Sequence, residues 1–286
     1  MAALIELSRQ ADTLIIALIL SLPRIYAYLA AAQLLSSSVV PGLPRNVAIF
    51  GLAFVAVPIN LEYAAAFDRS VFTLAVYFMK EYAIGFLLGY LIGWMFWVMQ
   101  AVGGLIDNQR GAAIASSIDP LQGEESSPLG LFFSQAFLTY IFTTGAFLPI
   151  LGILYQSFAI WPATKGIPLV SDAFPVMALA LFDNAMRIAV VLASPIIAVM
   201  FMAEFSLAMI SRFAPQIQVF VLAMPIKSIL AIMMLIFYFS ILMPYAYRQL
   251  NAAQGYVLRL YEILNFGQTI RPPTPPAPPG TPGRPN

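Results

Sequence analysis

Cysteine and histidine are both absent from the 286 residues. Without thiols there are no disulfides, iron–sulfur clusters, thiolate zinc sites or cysteine nucleophiles. Without imidazole there is no Ser-His-Asp triad, no histidine ligand for zinc or haem, and no histidine pH switch. Charge is nearly as scarce. Asp, Glu, Lys and Arg make up 9% of the chain, against roughly 25% in soluble domains. So few charges cannot cover a soluble globule of this size, which excludes a cytosolic enzyme and a disordered chain alike. A net charge of +1 and a pI near 7.9 offer no basic surface to nucleic acid. Walker and Gly-x-Ser-x-Gly spacings are missing too, so neither motif points to catalysis, and no cofactor is expected.

What the chain has is apolar length. AVILMFWYC residues account for 61%, and the mean hydropathy is +0.86. Long apolar stretches cover about residues 13–35, 47–67, 71–102, 129–161, 174–210 and 217–247. About 20 residues cross the hydrocarbon of a bilayer, so several of these are overlong, and Pro or paired charges interrupt them. The expectation is an all-α integral membrane protein: about six long, broken helices packed as hairpins within a larger assembly. Residues 14–22 resemble the apolar core of a signal peptide. Glu6, Arg9 and Asp12 do not make a positive leader, however, and Pro23-Arg24 separates the run from Ala30-Ala31-Ala32, which argues against cleavage. With an even number of spans, Arg248, Arg259, Arg271 and Arg284 favour a cytoplasmic C-terminus. Residues 271–286 hold eight prolines and no large apolar side chain. An extended, solvated tail is expected there, serving as a spacer or as a PxxP ligand.

Eight ionisable residues fall inside the apolar stretches: Arg24, Glu62, Lys80, Glu81, Asp183, Arg187, Glu204 and Lys227. A lone charge at the bilayer centre costs about 2.5–3.5 kcal/mol even on the lenient insertion scale. Mutual pairing, within the chain or between subunits, is the expected remedy; an ion path is the other reading. Asp183 and Arg187 stand four apart in the favourable helical order. Lys80 and Glu81 are adjacent and point in different directions, so each is expected to find another partner. Gly85, Gly89 and Gly93 repeat at every fourth position and line one helix face for close packing. Between the third and fourth stretches lies a long segment rich in small residues and breakers. It includes Gly103, Gly104, Ile106, Asp107, Asn108, Gln109, Arg110, Gly111, Asp119, Pro120 and Gly123. Most connections are about 4–6 residues, so this one reads equally as a functional loop or an extended connector.

Four matches carry a family resemblance. They are Pro23-Arg24; Lys80-Glu81 followed by Gly85 and Gly89; the block from Gly103 to Pro120 with Asp107, Gln109, Gly111 and Asp119-Pro120; and Arg212-Phe213-Ala214-Pro215-Gln216 followed by Met224-Pro225-Ile226-Lys227-Ser228. Together they resemble the T subunit of type III secretion export apparatuses (SctT), related to flagellar FliR. The wording of the last two blocks favours the injectisome branch, and Gln218 stands where Asn is expected. The resemblance covers about residues 5–262 and implies a membrane-embedded export domain over 1–262, followed by the proline-rich tail at 263–286. It implies a non-enzymatic part of a protein-conducting gate in the bacterial inner membrane, partly raised towards the periplasm. R and S subunits would build the channel with it, and the U switch and V gate subunits would associate. Unfolded effector or needle proteins would be the cargo, and residues about 106–123 would form a channel plug. Arg24, Lys80, Glu81, Asp183, Arg187, Glu204, Arg212 and Lys227 would serve assembly. A small-solute secondary transporter is the competing class, but it should show internal repeats, and the two halves are not convincingly alike. An intramembrane enzyme built on Lys227-Ser228 is weaker, because neighbours at i,i+1 do not face each other on a helix.

Overall fold

The computed structural model describes residues 2–35, 40, 42–65, 70–111, 127–162, 173–213, 219–252 and 255–260. Within them the elements are α1 (Ala2–Ala31), α2 (Gly42–Ala65), α3 (Val71–Arg110), α4 (Pro128–Thr143), α5 (Phe147–Ile160), α6 (Ala173–Phe213) and α7 (Val219–Ala252). Five helices are long and apolar enough to cross a membrane, or six if the bent pair α4–α5 counts as one span. Asp119, Pro120, Gly123 and the proline-rich tail lie outside the described residues.

The prolines do not break the spans as expected. Pro23, Pro58, Pro195, Pro225 and Pro244 all lie inside continuous helices. A buried bundle tolerates this because neighbouring helices and hydroxyls re-satisfy the freed backbone groups. The break falls instead in the fourth stretch, where α4 and α5 meet at 83°. There Gly145 takes φ +74, a left-handed turn that suits glycine, and Thr144 Oγ1 donates back to Tyr140 O at 2.8 Å.

α3 is the axis of the molecule; α1, α4, α6 and α7 pack on it, and α2 packs on α1. Glycine makes the closest approach possible. A Cβ at Gly85 would overlap the carbonyl of Arg24, one at Gly89 that of Tyr28, and one at Gly93 that of Ala31. The nearly constant offset means that α1 and α3 run parallel, backbone against backbone. Around this seam Tyr28, Leu88, Phe96, Phe133 and Phe137 are fully buried, with Phe96 and Phe137 edge to face at 5.1 Å.

The outward surface is as apolar as the core. Phe205, Phe213, Ile229, Ile236 and Phe237 are all more than half exposed. Hydroxyls on these outer faces turn back onto their own helix: Ser194 to Val191 O, Ser206 to Met202 O, Ser240 to Phe237 O. Such back-bonding satisfies the hydroxyl where water is absent. This is the surface of a chain embedded in lipid or in other subunits.

Candidate functional site

Two polar centres interrupt the apolar packing of α3. The first lies near its N-terminal end and is fully enclosed. Arg24 enters from α1 and is completely buried, as is Glu81. The arginine Nε donates to Glu81 Oε2 at 2.6 Å, Nη1 to Ser157 Oγ at 3.2 Å, and Nη2 to Trp161 O at 2.8 Å. Its guanidinium also stacks 4.3 Å from the Phe158 ring. Glu81 Oε1 faces Lys80 Nζ at 3.1 Å, and that ammonium sits 4.6 Å from the Tyr77 ring. Glu81 thus finds the expected further partner in Arg24, and the adjacent Lys80 pairs with it as well. Their backbones point apart, but the long lysine stem folds back beside the Tyr77 ring. One carboxylate serves two cations, and the C-terminal end of α5, where the helix dipole is negative, supplies further balance through Trp161 O. Nearby, Asn60 Nδ2 donates to Ser21 Oγ at 2.8 Å.

The second centre closes the other end of α3. Ile106, Asp107, Asn108, Gln109 and Arg110 were expected in a loop. They form the last turns of the helix, which ends at Gly111 (φ 89, left-handed), whose N–H donates to Asn108 O. Gly103 and Gly104 are not breakers here: a Cβ at Gly103 would run into the backbone of Leu129 and Gly130. Close packing of α4 explains this glycine. Asp107 is buried and acts as a clasp. Its Oδ1 accepts from Arg110 Nε at 2.7 Å, and its Oδ2 accepts from Ser127 Oγ at 2.6 Å and Leu129 N at 3.0 Å. Ser127 in turn caps α4, accepting from Gly130 N at 2.9 Å, with Pro128 in the first turn. The carboxylate thus joins both sides of the 112–126 segment. Met224 of α7 lies against Gly111, 3.6 Å from where its Cβ would stand. Two motif blocks far apart in sequence meet at this end.

The remaining candidate charges lie elsewhere. Lys227 and Glu204 link α7 to α6 at 3.1 Å, with Glu204 half exposed. Asp183 and Arg187 are both exposed, and Arg187 donates to Asn184 Oδ1 at 2.8 Å instead of forming the expected bridge to Asp183. Glu62 and Arg212 are also exposed. Ser157 and Trp161 escaped the sequence reading because a serine and a carbonyl in an apolar run carry no signal until the fold delivers Arg24 to them. Among the described residues no three Asp or Glu side chains gather as a metal site.

The two centres hold helices to one another, and the fold defines an all-α, multi-pass membrane protein. The chain belongs to the bacterial export proteins, family 1, whose description matches residues 15–253. It is 40% identical over 230 residues to the Yop proteins translocation protein T of Yersinia pestis, covering 79% of this chain and 87% of that protein. It is 34% identical over 211 residues to the surface presentation of antigens protein SpaR of Salmonella typhimurium, covering 73% and 78%. Flagellar biosynthetic protein FliR of Bacillus subtilis is more distant, at 29% over 221 residues, covering 77% and 84%. The family resemblance read from the sequence holds, with the injectisome branch favoured over the flagellar one.

Proposed function

We propose that the chain is a structural and gating subunit of a type III protein-export channel in the bacterial inner membrane. In this reading it conducts unfolded effector or needle proteins and performs no catalysis. The observation that carries the reading is the 40% identity to the Yop translocation protein T over most of both chains. Its partners are R and S subunits in one hetero-oligomer, with the U switch and V gate subunits attached, and the assembly stands partly raised towards the periplasm. In this reading the plug follows the end of α3 at Gly111, next to the Asp107 clasp. Residues 112–126 lie outside the described residues.

Exposed Asp183 and Arg187 among large apolar faces support the need for partners, because lipid is a poor solvent for such charges. Expressed alone, the chain should aggregate or be degraded. Co-expressed with R and S subunits, it should purify as one stable complex. A well-behaved monomer in mild detergent, with export unaffected by deleting its gene, would contradict the reading.

A further inference from the structure

The two polar centres lie on the same helix, and the α4–α5 pair runs between them. Its beginning is held at Asp107 through Ser127 and Leu129. Its end is held at Glu81 through Arg24, which grips Ser157 Oγ and Trp161 O. At about 1.5 Å per residue, Glu81 and Asp107 stand roughly 39 Å apart along α3. The arms of the pair have 16 and 14 residues and meet at 83°. On the same rise they reach roughly 34 Å from end to end, before the three-residue break and the caps are added. The two lengths are comparable, so the pair bridges the two anchors. Two further bonds hold α5 down: Tyr28 Oη donates to Ile150 O at 2.7 Å and Tyr155 Oη to Leu52 O at 3.0 Å. The bend itself is exposed, with nothing within 4 Å of where a Cβ at Gly145 would stand.

We propose that α4 and α5 form a two-anchor strap, in which the Arg24–Glu81 anchor sets the position of the α4 N-terminus and hence the closure of the Asp107 clasp at the far end of α3. Arg24 and Ser157 are positioning residues that act through the strap, and Gly145 marks its bend. Distant sites without shared partners behave independently; a stiff element with both ends fixed makes them dependent. The strap goes beyond the export reading and stands whether or not the adjoining segment plugs a channel.

The absence of native cysteine makes the test clean. In the full chain, assembled with its partner subunits in membranes, Gly104→Cys supplies the sole thiol of this subunit, and labelling is read on its band alone. Its Cβ would stand at a part-buried position beside the clasp, 4.0 Å from Ser127 Cβ. Asp107→Asn should raise the rate of maleimide labelling. Arg24→Lys keeps the charge on Glu81, but one ammonium cannot replace the guanidinium fork to Ser157 and Trp161. It should raise the rate about five-fold or more, the lower end of ordinary coupling between sites, and Ser157→Ala should move it the same way by less. Inserting Gly-Ser after Gly145 should abolish the Arg24→Lys effect and keep that of Asp107→Asn. An unchanged rate in assembled Arg24→Lys and Ser157→Ala complexes would overturn the strap. So would an Arg24→Lys effect that survives the insertion at the bend, or an Asp107→Asn variant as slow as its parent.

Discussion

Glu81→Gln should destabilise the assembled complex by about 3–5 kcal/mol, the range for a broken buried ion pair, although the side chain keeps its size. The reason is the stoichiometry of the first centre. Arg24 and Lys80 share this one carboxylate, so removing its charge leaves two buried cations without their common counter-charge. Arg24→Met should cost less, because Glu81 keeps Lys80 at 3.1 Å, although Ser157 and Trp161 lose their donor. Lys80→Met should cost least, because the Arg24–Glu81 pair survives at 2.6 Å. Thermal unfolding of purified complexes carrying each variant checks the order. An order with Lys80→Met worst would mean that the cluster is not organised around Glu81.

Shortening residues 111–118 should leave assembly intact and raise leakage of ions or small solutes through the inner membrane. Gly111 ends α3 in a left-handed turn beside Met224, and Ala112, Ala113, Ala115, Ser116 and Ser117 offer small side chains suited to a narrow lumen. A plug must hold the closed state by a modest margin, since cargo has to displace it. Moving a two-state equilibrium from 1:99 to 99:1 takes only about 5.5 kcal/mol, so losing a few contacts should open the path. Asp107→Ala should act in the same direction more weakly, because the clasp joins both sides of this segment. Conductance in planar bilayers reads both variants. An assembled shortened variant as tight as wild type would return the segment to the status of a connector.

Hydropathy made the helical membrane class and the number of apolar stretches legible in the sequence, and the Gly85–Gly89–Gly93 spacing pointed to one packed face. Partner identity was not legible. Periodicity placed Lys80 and Glu81 in different directions, but it could not describe a flexible stem folding back beside Tyr77. Nor could it bring Arg24 to Trp161, because that contact depends on the bend at Gly145. Gly103 reads as a loop residue for a physical reason: the same missing Cβ that permits a loop also permits a helix to approach closely, and only the neighbour, here Gly130 and Leu129, decides between them. Asp183 and Arg187 had the right spacing for a bridge. On an outward face nothing inside the chain compels it, and Asn184 competes for the guanidinium.

The central claim, that cargo passes this subunit at the α3 end, is tested most directly by photocrosslinking in cells during export of a substrate stalled by a folded fusion. A photoreactive residue at Asn108, exposed on the last turn of α3, should capture the stalled chain. The same group at Leu148, exposed on α5, should not. A substrate that crosslinks to neither position, while its export still requires the subunit, would contradict the assignment of this end to the channel.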